Sequence, residues 1–278
     1  MVYFDKLIGL TPLYSELDLK YQQVYSPGYT NLSACDEDCV VVAGVKDGYI
    51  SGFGRPVAIL GTDKAITAQI QRLYDISPDI YYMDFGGRLS AVSKFLLRKG
   101  LTARPYYTQI INLRKSTGEL HADLRKSYKS IINSSQVLIL PHSAIEDFRR
   151  LHIQMHGRET RKASTWDIQR EMVEKGQAFI LALHCKNRIT GYCMFYLNHK
   201  SCYYACSASE PDTNTHAILW SAIMEAKKRG CETLELGEQV YFGKEKDVNV
   251  SLFKSGFGGE TRIRLLFGKS EFERSHGL

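Results

Sequence analysis

Apolar residues in this chain fall into short β-branched runs that alternate with stretches of helical spacing, and that alternation predicts the fold class. Residues 40–43 and 56–60 read as strands bounded by turn formers. Thr62-Asp63 caps a helix whose Ala65, Ile66, Ile70 and Leu73 share one side, and 80–83 is the next strand. The helical pattern returns over 89–99 and stops at Gly100, a residue suited to a left-handed C-cap, before a strand over 106–113. Residues 119–134 predict a basic amphipathic helix with Leu120, Leu124, Tyr128 and Ile131 on one face. A strand at 137–140 and, beyond Pro141, a helix over 144–157 complete the first half. Such a series implies a sheet with helices packed on it, an α/β (α+β) architecture. The first forty residues have weak periodicity and are expected to hold short elements and no catalytic residue.

The second half is more sharply patterned. Three strand signals, 178–184, 190–197 and 202–207, are separated by Lys186-Asn187-Arg188 and Asn198-His199-Lys200 and predict an antiparallel meander. Pro211-Asp212-Thr213-Asn214-Thr215 offers caps for a helix over 216–229 that ends at Gly230. Its interior is apolar nearly all round, so it is expected to be buried across a sheet. A strand at 233–236 follows at crossover spacing, and its carboxyl end, Gly237-Glu238, is where ligands gather in open α/β sheets. A Gly- and charge-rich loop, 241–246, leads to Asp247 as the N-cap of a short helix carrying Phe253 and Lys254. A strand over 260–267 is the last.

Length and composition sharpen this picture. A chain of 278 residues accommodates two domains of about 140 residues each, and the division is expected near Pro141, giving 1–140 and 141–278. With 44% hydrophobic and 24% charged residues it has the balance of a soluble globular protein. The net charge of +6 suits an anionic ligand such as a phosphate, a nucleotide sugar or tRNA. Met1-Val2-Tyr3-Phe4-Asp5-Lys6 lacks the basic and apolar regions of a signal peptide, and no stretch is apolar enough to span a bilayer, so a cytoplasmic location without integral membrane contact is expected. Seven cysteines read as reduced thiols. Cys35 with Cys39 and Cys202 with Cys206 lack the spacing of a zinc knuckle, and no metal is expected.

One stretch carries more than a fold signal. Leu236-Gly237-Glu238 followed by Phe253-Lys254-Ser255-Gly256-Phe257-Gly258-Gly259 resembles the C-terminal signature of FemAB-like proteins of the GNAT superfamily, which attach amino acids to peptidoglycan precursors using aminoacyl-tRNA. Trp166, the Tyr203-Tyr204-Ala205 run, His216, Trp220 and Gly230 extend the resemblance to FemAB-like proteins of polysaccharide gene clusters. Arg125-Lys126-Ser127 through Ile131-Ile132 is similar to the basic helix that closes the family's first GNAT-like unit. The resemblance covers about residues 55 to 268 and implies tandem GNAT-like domains. The second has the GNAT order of meander, long buried helix, strand, short helix and strand. The coiled-coil arm with which family members grip tRNA has no counterpart here, since no long heptad stretch exists.

Acyl transfer to an amine needs a neutral amine, a positioned acyl carbonyl and a stabiliser for the oxyanion. The resemblance assigns the last role to Lys254, on a short helix beside a Gly-rich turn. Its null alternative is a surface lysine. Glu238, at the sheet's carboxyl edge, is the candidate for taking the amine's proton, against a solvated loop carboxylate. Phe253 packs Lys254 in place; Trp166, Tyr204 and Tyr241 are candidates to line an acceptor cleft, and His216 is either a base or a capping residue. Arg125 and Lys244 join the substrate-binding set. So does Arg158, from the basic run Arg149-Arg150, Arg158, Arg161-Lys162, which either grips phosphates or forms a solvated face.

The expected activity is therefore transfer of an acyl or aminoacyl group to an amine of a cell-envelope or polysaccharide precursor. Aminoacyl-tRNA or acyl-CoA serves as co-substrate and there is no resident cofactor. Acetyl-CoA enzymes of the superfamily usually open the long helix with a Gln/Arg-x-x-Gly-x-Gly/Ala turn that holds pyrophosphate. Here that place reads Ser209-Glu210-Pro211-Asp212-Thr213-Asn214-Thr215, with two acids and no glycine, which ranks an acyl-CoA-dependent N-acetyltransferase of a nucleotide-linked amino sugar second. A non-catalytic nucleic-acid-binding module on the same fold is the third reading. The expected partners are an anionic small-molecule or lipid-linked acceptor and, with that donor, tRNA; the chain is expected to be a monomer or homodimer.

Overall fold

A computed structural model describes residues 11–269 apart from Gly87, Ser134 and Lys186. The leading run Met1 to Lys6, the end of the 119–134 helix at Ser134 and the Lys186 turn position lie outside the described residues. The chain divides into two compact units, one holding Tyr14–Tyr107 and the chain from Ile263 on, the other Thr108–Arg262 with the short stretch Gly9–Leu13. These units do not follow the halves 1–140 and 141–278, because the chain leaves the first unit at Tyr107 and re-enters it near its end.

The first unit contains α1 (Glu16–Tyr25), β1 (Thr30–Asn31), β2 (Ala34–Cys35), β3 (Cys39–Val42), β4 (Gly44–Lys46), β5 (Tyr49–Ser51), β6 (Ala58–Gly61), α2 (Asp63–Ile76), β7 (Tyr82–Asp84), α3 (Ala91–Arg98) and the start of β8 (Ala103–Asn112). Strands β1-β4-β5 and β2-β3-β6 form two antiparallel sheets. Thr62 caps α2 through Ala65 N, as its sequence position predicts, and Ser90 caps α3 through Ser93 N. Val41, Ile50, Val57, Ile70, Leu73, Ile80 and Leu96 make one core, closed by Phe267 from the far end of the chain.

The second unit follows with α4 (Thr117–Asp123), α5 (Lys126–Ile131), β9 (Gln136–Leu140), α6 (Ile145–His156), α7 (Ala163–Glu174), β10 (Ala178–Cys185), β11 (Arg188–Leu197), β12 (Ser201–Ser209), α8 (His216–Lys228), β13 (Thr233–Glu238), α9 (Glu245–Ser255) and the start of β14 (Glu260–Phe267). Its sheet runs β8-β13-β12-β11-β10-β9. All pairs are antiparallel except β12 with β13, which the crossover through α8 makes parallel. Meander, buried helix, strand, short helix and strand stand in the expected GNAT-like order. Helix α8 lays Ala217, Ile218, Leu219, Ala222 and Ile223 against Phe179, Leu181, Phe195 and Leu234 of the sheet. The other face is covered by packing such as Phe148, edge-on to Trp166 at 5.3 Å and stacked on Tyr192 at 5.4 Å.

The predicted helix over 119–134 is two helices. Ser116 opens α4 with a capping box to Glu119, and the helix stops at Leu124, whose ψ of 140° is extended. The Arg125 N–H then donates to the Gly256 carbonyl at 2.8 Å. A long-range bond takes the donor that a continuous helix would have kept for itself.

Candidate functional site

The parallel pair β12–β13 is short. Its register runs Ser201↔Thr233, Cys202↔Leu234 and Tyr203↔Glu235, and among the described residues no pair follows. Beyond that point β12 stays with β11 through Ser209, while β13 carries a bulge between Glu235 and Gly237 in its pairing with β8. The two neighbours therefore part company at Tyr203 and Glu235, which share a face of the sheet.

Lys254 is aimed at this parting. It lies in the last turn of α9, and its Nζ donates to the Glu238 carbonyl at 3.2 Å. Gly237 has φ of +80°, and a Cβ built there would stand 3.7 Å from both the Lys254 Nζ and the Tyr203 hydroxyl. Glycine thus fits the backbone conformation and keeps the space between the two polar ends open. Burial pulls the Lys254 pKa below the usual lysine value, while Glu238 and then Glu235 act in the opposite direction. Glu235 is half-buried, and its Oε1 accepts a 2.7 Å hydrogen bond from the hydroxyl of fully buried Thr108. The arrangement is an amine cation, a phenol and a carboxylate around one opening at the end of a parallel pair. It can hold a developing oxyanion and exchange protons.

The rest of the signature packs beside this point. Phe253 meets His216 edge-on at 4.9 Å and Phe257 at 5.3 Å, while Tyr128 lies edge-on to His216 at 4.2 Å. The Tyr128 hydroxyl donates to the Phe253 carbonyl at 3.2 Å, and Arg125 Nη2 donates to the Leu252 carbonyl at 3.0 Å with its guanidinium 5.2 Å from the Tyr128 ring centre. Gly256 is required by the closeness of this packing, since a Cβ there would fall 2.3 Å from Tyr128 Cε2. Burial, and then Arg125, lowers the His216 pKa, and its Nδ1 is hydrogen-bonded to Asn214 Oδ1. Phe253 also lines an open depression of about 530 Å³ with Glu245, Lys246, Asn249 and Val250. Lys244, exposed at the N-cap position of α9, makes no side-chain cap; the helix begins two residues ahead of the expected cap, Asp247. Tyr241 is exposed and donates to Thr261 Oγ1, which donates in turn to Gln109 Oε1.

Glu238, proposed from the sequence as the proton acceptor, has an exposed side chain and offers Lys254 its backbone oxygen. Lys254, Glu238, Phe253, His216 and Arg125 lie on touching segments, with Tyr241 and Lys244 on the loop between β13 and α9. Trp166, Tyr204 and Arg158 stand elsewhere. Trp166 is 1% exposed beneath the Arg161 guanidinium, 3.6 Å from the ring centre. Tyr204 stacks on Phe195 at 5.3 Å, on the α8 side of the sheet, and donates to Ser207 Oγ. Arg158 is exposed just past the left-handed Gly157. Tyr203, Glu235 and Thr108 entered no sequence-based site. The only signal for Glu235 is that Leu234-Glu235-Leu236 alternates, which puts the carboxylate on the opposite face from the two leucines.

The turn before α8 is internally satisfied. Glu210 pairs with Arg188, Thr213 N donates to the Glu210 carbonyl at 3.2 Å, and Asn214 Oδ1 accepts from the His216 N–H at 3.2 Å. Among the described residues no cluster of three or more His, Cys, Asp or Glu could hold a metal ion, and no helix is long and apolar enough to cross a membrane.

With this geometry in hand, the comparisons with solved structures are informative. FemX superposes with a TM-score of 0.65 over 97% of this chain and 94% of its own, at 11% identity. The chain shares the FemX fold. L-PGS from Bacillus licheniformis gives 0.60 over 93% and 89% at 9% identity. The C-terminal DUF2156 domain from Agrobacterium fabrum, assigned to a lysylphosphatidylglycerol synthetase, gives 0.59 over 94% of each chain at 11% identity. No protein-family model and no curated protein matches the sequence. The likeness to FemX and the lysylphosphatidylglycerol synthetase domains is one of fold and extends over nearly the whole chain.

Proposed function

We propose that this chain is an acyl- or aminoacyl-transferase that delivers its group to an amine of a cell-envelope or polysaccharide precursor, with Lys254 stabilising the oxyanion. One observation carries the reading: a partly buried lysine, Tyr203 and an obligatory glycine converge where β12 and β13 cease to pair. The fold it shares with FemX and with a domain whose name states lysyl attachment to phosphatidylglycerol supports the same class of chemistry. An aminoacyl-tRNA-type donor is favoured over acyl-CoA because the turn before α8 spends its first helical N–H on Asn214 and places Glu210 where pyrophosphate would approach. Arg125 and Lys244 are proposed to meet the anionic parts of the substrates.

The test is to incubate the protein with radiolabelled aminoacyl-tRNA or acyl-CoA pools and candidate amine acceptors, comparing wild type with Lys254→Ala. Transfer from aminoacyl-tRNA, lost in the variant, is expected. Transfer from acyl-CoA instead would overturn the donor assignment, and nucleic-acid binding without transfer from either pool would favour a non-catalytic module.

A further inference from the structure

Glu235, not Glu238, occupies the deeper position at the candidate site. It is the last residue of β13 that pairs with β12, opposite Tyr203, and the strand bulges immediately after it. Thr108, 0% exposed on β8, aims its hydroxyl at Oε1 from 2.7 Å. One donor thus pins one oxygen of a half-buried carboxylate and sets the orientation of the other. The charged groups that bear on this point are Lys254 from α9 and Glu238 from the end of β13; Tyr203 from β12 adds a phenol. The Coulombic coupling of Lys254 to Glu235 sets the two groups at interaction range.

We propose that Glu235 binds the acceptor as a primary ammonium and takes its proton, and that Thr108 is the residue that positions the carboxylate. This rests on the transferase reading above. The step balances as follows. The ammonium gives one proton to Glu235, leaving a neutral amine whose lone pair forms the C–N bond with the donor carbonyl. The carbonyl's π electrons pass to an oxyanion held by the Lys254 ammonium. When the oxyanion re-forms the carbonyl, the bond to the donor's leaving oxygen breaks, and that oxygen takes the second proton of the attacking nitrogen. Glu235 finally releases its proton to water. An amine is thereby preferred over a hydroxyl, since a hydroxyl brings no charge for the carboxylate to bind.

The experiment compares glycinamide with its hydroxyl analogue glycolamide as acceptors, from pH 6 to 10, for wild type, Glu235→Gln, Thr108→Val and Thr108→Ser. Gln keeps the shape of Glu and an oxygen for Thr108, so the fold is retained. Glu235→Gln is expected to lower kcat/KM for glycinamide by about 10²-fold or more and to remove the acid limb of the pH profile. Thr108→Val is expected to shift that limb, and Thr108→Ser to restore it, which a purely structural role would not do. A Glu235→Gln rate within twofold of wild type, or equal use of glycolamide, overturns the inference. Wild type without any transfer refutes the transferase reading instead, and the carboxyl-carbon NMR signal of Glu235 then decides this one. A shift with glycinamide but not glycolamide, absent in Glu235→Gln, supports the ammonium site, and no shift sinks it.

Discussion

A lysine drawn out of water loses its proton more readily, and that sets how Lys254 can be used. Its cation is present at neutral pH and disappears as pH rises through a pKa held below the ordinary lysine value. Activity is therefore expected to decline on the alkaline side at a lower pH than an exposed lysine would produce. Lys254→Ala should cost about 10²–10³ in kcat, the range of losing one oxyanion donor, with the melting temperature unchanged or raised because a desolvated charge is removed. His152 shows the same physics on stability. Burial first, then Arg161 and His156, push its pKa down to about 4. Between about 6.5 and 4 the unfolded chain binds a proton there that the folded chain does not, so stability falls as pH falls through that window. Thermal melts from pH 4 to 7.5 should show a shallower decline in His152→Gln than in wild type.

Elements were legible where their own residues decide them. The meander and the buried α8 stood out because strand alternation and an all-round apolar helix are local patterns, and both occur where expected. The β4–β5 hairpin, turned at Asp47-Gly48 with positive φ at both, was also written locally and passed over in a stretch of weak periodicity. What could not be read was any feature set by a distant partner: the break at Leu124, made by Arg125 bonding to Gly256, and the site role of Glu235, which depends on where β12 leaves β13. The junction of α5 and α9 is accordingly sensitive. Gly256→Ala forces a Cβ into Tyr128 and should destabilise by about 1–3 kcal/mol, read from urea titration. Its effect on transfer should come through displacement of Lys254, as a fall in kcat larger than the change in KM.

Across the whole molecule, the seven cysteines provide a simple check. All are free; Cys35 and Cys185 are exposed, Cys206 is intermediate, and Cys39, Cys193, Cys202 and Cys231 are buried. Burial pushes the Cys39 thiol up to about 11 and the Cys193 thiol up to about 12, so neither supplies thiolate at neutral pH. A thiol reagent should label two sites quickly in the native protein and all seven only after denaturation. The division of the chain was the least legible feature. A boundary near Pro141 assumes that each unit is continuous, whereas the first unit's core includes Phe267, which meets Tyr82 at 6.1 Å, and β14 pairs Leu266 with Met83. Phe267→Ala should cost about 3–5 kcal/mol, measured by denaturant unfolding, and a fragment ending at residue 140 should lack a cooperative transition.

That returning strand also bears on how the protein is made. Residues 14–107 leave the ribosome long before Phe267 does, so the N-terminal unit waits with Val57, Ile80 and Leu96 incompletely covered while the rest of the chain is synthesised. At about 5–20 residues per second, that interval lasts on the order of ten to thirty seconds. The second unit, closed at Arg262, is complete first, and the order of folding inverts the order of translation.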